Sequence, residues 1–482
     1  MRKEFIFNIL FLILINIIIK PFWIFGIDAQ VQNAVGNDIY GSYYAFLNIA
    51  LIFQILLDFG LQNYNNKTIA NAPASFANLF PNIFITKMLL CICYIIIINS
   101  VGFFIGYNFH QLKLLTTISI IPILQSFYLF FRSNIAAFQH FKTDSLLSIL
   151  DRTLLIIICG SILYIPFLQN KFTINIAIFI LIQIISMLIA NIIAFKILIN
   201  KNNIKWENIN YKKGISIIKN SLPFAILILL MAVYMRIDSV ILERFCGTEV
   251  AGQHGAIFRI LDVCNNMSGV LVGGMLLSYF SKNIKDKQTI INITRLCNTL
   301  FLPIILIGTI TIVFWEREIM QTIYKNYIYN GHKTLGLLIL SYPMYCLLYI
   351  YSTLLTAVNK LKTLTFISIV AAVFAIVSNL IITPIYGLRA NLTLHIISMA
   401  IVGMSCLMYS IKYFGRALFK IKDALRIVAV IIITSLCAYY INTFNLHFTY
   451  KIISTLIGGI ISLALFNISA INSLYQKIKI KA

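Results

Sequence analysis

A chain of 482 residues that is 60% hydrophobic and only 11% charged has more apolar surface than a soluble core can hide, which excludes an ordinary water-soluble fold. The formal charge of +23 matches the basic loops that orient membrane proteins, so nucleic-acid binding is an unnecessary reading of it.

The first apolar run, Phe5 to Ile27, has basic flanks at Arg2 and Lys3, lacks a small-residue cleavage site and contains Lys20-Pro21. It reads as a retained helix, not a signal peptide. At about 20 apolar residues per crossing, the chain holds about 14 helices. They begin near Phe5, Tyr40, Asn78, Leu114, Ser145, Thr173, Ile215, Val250, Ile290, Thr334, Thr363, Ala390, Ala424 and His447. The fold class is an all-α integral membrane protein.

A short pattern occurs twice, as Gly36-Asn-Asp38-Ile-Tyr-Gly41 and, 211 residues later (36 to 247), as Gly247-Thr-Glu249-Val-Ala-Gly252. Duplication of a six-helix unit follows, an arrangement that transporters use for alternating access. The expected parts are a bundle over residues 1–199, a cytoplasmic linker at 200–213, a second bundle over 214–415, and two extra helices with a basic tail at 416–482. With the N-terminus inside, about 21 basic residues fall on inner loops and about 8 on outer ones. That alternation supports an even number of helices and cytoplasmic termini.

Nine cysteines lie singly in apolar runs, apart from Cys91 and Cys93, which a helix points to different faces. They read as small buried hydrophobes, and neither a disulfide framework nor a metal site is visible. Charges inside the helices carry more information, because each costs roughly 2.5–3.5 kcal/mol to insert and so faces a cavity or a partner. Counting depth at about 1.5 Å per residue, Lys20, Arg236 and Arg259 share one level. Lys87, Arg132, Arg152 and Arg295 form a second tier nearer the inner ends. Lys20 has no nearby acid and precedes a helix-bending proline, which makes it the strongest cavity cation.

Arg236 and Arg259 have Asp238 and Asp262 close by, and the i, i+3 spacing makes Arg259–Asp262 the better local pair. These two acids are candidates for ion pairing or coupling. Asp58 fits either an interfacial acid or half of a gate, while Lys87, Arg152 and Arg295 either join the inner tier or gate or snorkel to headgroups. Gln54, Gln125, Asn134, Asn265, Asn266 and Asn379 either wet a cavity or bond between helices.

The segment Arg236-Ile-Asp238-Ser-Val-Ile-Leu-Glu-Arg-Phe-Cys-Gly247-Thr-Glu249-Val, followed by Arg259-Ile-Leu-Asp262, resembles the helix 7 to helix 8 region of polysaccharide flippases. These are the Wzx-type branch of the multidrug, oligosaccharidyl-lipid and polysaccharide (MOP) exporter superfamily. Gly36-Asn-Asp-Ile-Tyr40-Gly41-Ser-Tyr43 resembles its helix 1 to helix 2 turn, and Thr383-Pro384-Ile-Tyr386-Gly387 its turn between helices 11 and 12. Two departures stand out: Gln253-His254 where the family commonly has a tyrosine, and Arg389 where a glycine usually follows the second turn.

The resemblance implies a MATE-like architecture in the bacterial inner membrane. It also implies transfer of an undecaprenyl-diphosphate-linked oligosaccharide to the periplasmic leaflet for O-antigen, capsule or exopolysaccharide, alongside a polysaccharide polymerase and other assembly proteins. No cofactor is implied. In that reading Arg132 attracts the diphosphate and Lys20, Arg236 and Arg259 hold it higher up.

A lipid II flippase or a MATE-type antiporter of the same superfamily stands as an alternative, though an antiporter for cationic cargo would place acids in its cavity. From another class, a membrane polymerase or glycosyltransferase would need a catalytic outer loop. The longest outer segment, Trp315 to Lys333, offers Glu316 and Glu318 alone as acids, and no phosphate loop, nucleophile elbow or zinc motif occurs.

Overall fold

The structure is a computed structural model that describes residues 18–170, 172–201, 211–269, 274–325, 333–444 and 446–479. Every regular element among them is helical. Among the described residues, eleven segments are long and apolar enough to cross a membrane. One of them, Leu361–Phe414, is two helices meeting at Gly387, whose φ of 67° and ψ of −150° are non-helical. Pro384 removes a backbone donor just before, so the sequence itself places the corner.

The count of about 14 differs at two helices. The expected start of helix 1 at Phe5 lies outside the described residues. Helix 8 corresponds to Thr248–Ser268, which carries Glu249, Arg259 and Asp262 and so is too polar to count as an apolar crossing.

The chain forms two compact units, residues 1–256 and 257–482. In the first, a π-helical turn (Trp23–Asp28) leads into α1 (Ala29–Val35), then α2 (Asn37–Ile52), α3 (Leu61–Asn71), α4 (Phe76–Ile105), α5 (Phe109–Ala137), α6 (Phe141–Tyr164), α7 (Ile176–Lys201) and α8 (Tyr211–Cys246). The helix α9 (Thr248–Ser268) begins in this unit and ends in the second.

Helix α5 is the hub, packed against α2, α3, α4, α6 and α7. Its start is set by a reciprocal cap: the Asn108 side chain accepts from Gln111 N at 2.9 Å, and Gln111 Oε1 accepts from Asn108 N at 3.0 Å. Gly106 (φ 90°) ends α4 just before. Tyr40, Tyr43, Tyr44 and Phe46 fill the core where α2 passes through.

Between α2 and α3 the chain departs from α geometry. Phe53–Leu57 is a 3-10 turn, and Phe59 and Gly60 have φ of 45° and 83°. This break frees carbonyl groups that need donors.

In the second unit, α10 (Gly274–Lys282) and α11 (Lys287–Leu296) precede a second π turn at Cys297–Phe301. Then come α12 (Leu302–Phe314), α13 (Glu316–Ile323), α14 (Thr334–Ile339), α15 (Tyr342–Ala357), the bent Leu361–Phe414 pair as α16, α17 (Ile421–Asn442) and α18 (Phe448–Lys479). The last two pack on each other and on α12, where Ile307, Val430 and Leu463 form an apolar cluster.

Candidate functional site

Lys20 sits one residue before Pro21 and three before the π turn, where the helical hydrogen-bond ladder is shifted by one residue. Such turns commonly mark functional positions. The charges within electrostatic reach of Lys20 are Arg152, Asp151 and Arg132. Arg132 Nε donates to Asp144 Oδ1 at 2.8 Å, and Arg152 Nε lies 3.3 Å from Asp151 Oδ2. Their guanidinium groups also lie over the rings of Tyr128 and Trp23, at 5.8 and 5.5 Å.

Among the described residues, three cations and two carboxylates from helix 1, α5 and α6 therefore gather in the first unit, with a formal excess of one positive charge. The arginines have the carboxylates; among the described residues Lys20 has no ion-pair partner. Lys20 is thus within electrostatic reach of Arg132 and Arg152, which depth counting assigns to the other tier. That counting assumes straight upright helices, and the π turn beside Lys20 removes the assumption.

Arg236 Nη1 donates to Asn48 Oδ1 at 2.9 Å, tying α8 to α2, while Asp238 is buried at 1% exposure. Arg259 lies in the second unit with Asp262, 3.9 Å away across one helical turn.

Lys87 is fully buried. Its ammonium donates to the Leu57 carbonyl at 2.9 Å, Asp58 Oδ1 at 3.0 Å and Ser126 Oγ at 2.7 Å. Asp58 also accepts from Gly60 N at 3.1 Å and Gln62 N at 3.3 Å. Lysine and aspartate together replace the helix bonds lost at the break after α2. Arg295 makes a two-point bond to Asp423, at 2.8 and 3.2 Å, with Arg426 3.9 Å from the same acid.

Some polar residues at this level escape sequence reading. Tyr40 OH donates to Asp28 Oδ2 at 2.6 Å, and Gln183 Nε2 donates to Tyr43 OH at 3.0 Å. Asp28 ends the first apolar run and reads as a helix-end acid; only the fold puts it under Tyr40. Asn134 Oδ1 accepts from Asn65 at 2.8 Å, and Asn379 Oδ1 accepts from Thr383 and Asn391, each at 2.8 Å, so helix-to-helix bonding engages both asparagines.

Glu316, one of two acids on the longest expected outer segment, is buried. Its two oxygens accept from Leu335 N at 2.8 Å and Gly336 N at 3.0 Å, capping α14. Burial pushes its carboxyl above the usual range against the opposing pull of those N–H groups. Among the described residues no group of three His, Cys, Asp or Glu is placed to hold a metal ion.

Comparison with known proteins bears on the fold. The lipid II flippase MurJ in an inward closed conformation aligns over 90% of this chain and 98% of its own, with a TM-score of 0.65 and 17% identity. A multidrug resistance MATE family transporter of the MOP superfamily aligns in its inward-facing form over 81% of this chain and 98% of its own, with a TM-score of 0.56 and 12% identity. An outward-facing structure of a multidrug resistance MATE family transporter of that superfamily aligns over 85% of this chain and 95% of its own, with a TM-score of 0.53 and 13% identity. These likenesses establish the fold. No curated protein matches the chain in sequence. The family described as polysaccharide biosynthesis protein matches residues 5–284, more than half of the chain. On that match, in a fold shared with MurJ and MATE transporters, the chain belongs to the polysaccharide biosynthesis protein family.

Proposed function

We propose that the protein is a flippase that moves an oligosaccharide linked to undecaprenyl diphosphate from the cytoplasmic to the periplasmic leaflet of the bacterial inner membrane. The observation that carries this reading is the Lys20, Arg132 and Arg152 cluster, a cationic excess built inside a membrane bundle with one ammonium that, among the described residues, has no carboxylate partner. A diphosphate cannot cross hydrocarbon with its charge bare, and buried cations replace the water it loses.

Arg132 attracts the diphosphate from the cytoplasmic side and Lys20 holds it further in. Arg236 and Arg259 are the further cations assigned to the diphosphate, with Asp238 and Asp262 setting their positions. The repeats over residues 1–199 and 214–415 alternate about the linker at 200–213, and the helices after 416 stand apart from that motion. Both termini are cytoplasmic in this orientation. An interior-negative potential favours outward movement of an anion by about 2.3 kcal/mol per charge per 100 mV, so a coupling ion is not required. The cluster binds and releases without bond making, and a polysaccharide polymerase would take the product at the outer leaflet.

The likeness to MurJ over most of both chains favours a second reading, in which the oligosaccharide is that of lipid II. Deletion of the gene separates these. Accumulation of a lipid-linked polysaccharide repeat unit on the inner leaflet supports the first reading, and accumulation of lipid II there supports the second. Unpolymerised units gathering on the outer leaflet would overturn both in favour of a polymerase.

A further inference from the structure

The carboxylates beside Lys20 are built into one face of α6. Asp144 and Asp151 are seven residues apart, about 20° short of two full turns, so both leave the helix on the same side. Leu147 lies between them, and its carbonyl accepts from Tyr128 OH on α5. Tyr128 is within electrostatic reach of Arg132, Asp144 and Asp151 together, and the Arg132 guanidinium lies over its ring.

The two acids differ in their claim to a purely structural role. Asp144 stands in the first turn of α6, where a carboxylate suits the helix dipole. Asp151 is about two turns further along and 8% exposed, and its one ion-pair partner among the described residues is Arg152. An acid placed there carries an insertion cost that only the neighbouring cations offset.

Neither pair is sealed. The side chains of Arg132, Asp144, Arg152 and Asp151 keep 11–32% of their surface open, so a phosphate can reach the guanidinium groups. Arg152 meets Asp151 at 3.3 Å, longer than the roughly 2.7–2.9 Å of a strong charge-assisted bond. Positions i and i+1 do not face each other on a helix, so this pair is readily exchanged.

We propose that Asp144 and Asp151 are internal counter-ions, displaced from Arg132 and Arg152 by the diphosphate of the cargo and returning to those arginines to release it. The inference rests on the reading that a diphosphate is carried. Such a bridge has one acidic oxygen on each phosphorus, which matches the two carboxylates charge for charge. In the empty protein the carboxylates neutralise the arginines, so no bare guanidinium is held in hydrocarbon. In the loaded protein the same carboxylates repel the cargo. The exchange is then close to balanced, and neither state becomes a trap. Lys20 supplies the charge that the acids do not offset, which favours entry.

The test titrates the purified full chain with undecaprenyl diphosphate by calorimetry and follows glycan export in cells. Asp144→Asn and Asp151→Asn should each bind the probe about tenfold more tightly, the worth of one charge-assisted contact no longer contested, while export falls. Loss of a merely structural pair would weaken binding and export together. Asp144→Glu keeps the charge and should return both toward the parent values.

Equal or weaker binding by the asparagine variants, beside a parent chain that binds, overturns the counter-ion role and leaves the assigned cargo standing. A parent chain that binds no undecaprenyl diphosphate refutes the cargo and this inference with it. If the variants fail to accumulate, the unaltered chain decides by infrared difference spectroscopy. Adding the probe should shift carboxylate bands as Asp144 and Asp151 lose their arginines, and a flat carboxylate region sinks the proposal.

Discussion

Two lysines in the first unit stand in opposite situations. Lys87 is completely buried with three oxygen partners within 3.0 Å, whereas Lys20 is half-buried and its carboxylate neighbours are taken by arginines. Both interrupt apolar runs, so a hydropathy reading treats them alike. The backbone separates them. The break at residues 53–60 presents a free carbonyl and a turn-bound aspartate, and a buried ammonium there completes the fold. Three residues after Lys20 the backbone enters a π turn, and among the described residues no such acceptor set surrounds the ammonium. An intramembrane cation is a ligand site where the protein's own oxygens leave it unfilled.

The comparison breaks first if Lys87 proves dispensable. Lys87→Met leaves Asp58 without its cation and should cost about 3 kcal/mol, the low end for a severed buried pair because part of Asp58 meets solvent. Unfolding in detergent measures it. Adding Asp58→Asn should recover much of the loss, a recovery that a purely steric role of Lys87 would not give.

Lys20→Ala should keep normal accumulation and stability while export of the glycan falls about tenfold or more, the worth of a charge-assisted bond of roughly 1.5–3 kcal/mol. Lys20→Arg should retain most of the export. Undiminished export by Lys20→Ala would remove the central role given to Lys20. A loss of stability matching that of Lys87→Met would erase the contrast between the two lysines.

Arg295 provides an intermediate case. It grips Asp423 at two points yet is 32% exposed on its side chain, and Arg426 stands 3.9 Å from the same acid. Arg295→Gln should therefore cost about 1 kcal/mol, nearer a surface pair than a buried one. A double-mutant cycle with Asp423→Asn reads the coupling directly, and a value near that of Lys87–Asp58 would show that exposure is the wrong criterion.

What sequence could show here follows from what is local. The helices, the corner at Pro384 to Gly387 and the Arg259–Asp262 turn all depend on residues a few positions apart, and pattern alone finds them. Lys87 and Asp58 are on different helices, 29 residues apart, and periodicity does not say which faces meet. Asp423 hides in a basic run that reads as an inner loop. Depth by rise per residue assumes a regular helix, and the π turn three residues after Lys20 departs from one. The repeated Gly pattern marks the duplication, but the contact between its two copies exists only in three dimensions.

The smallest effect belongs to Asp286, a carboxylate that meets water and so tests the other end of the comparison. Its side chain accepts from Thr289 N at 3.0 Å and from Thr289 Oγ1, capping α11. Those bonds hold its carboxyl below the usual aspartate range. A depressed folded pKa means that the stabilisation is fully present above the unfolded value, near pH 4, and is lost as pH falls through the folded value. Asp286→Asn keeps a neutral acceptor, so stability at pH 7 should hardly change while the acid-side slope below about pH 4 becomes shallower. Melting curves of the two proteins over pH 2.5 to 7 decide it. A large loss at pH 7 would mean that a solvated cap matters as much as a buried pair, contrary to what sets Lys87 apart from the surface charges.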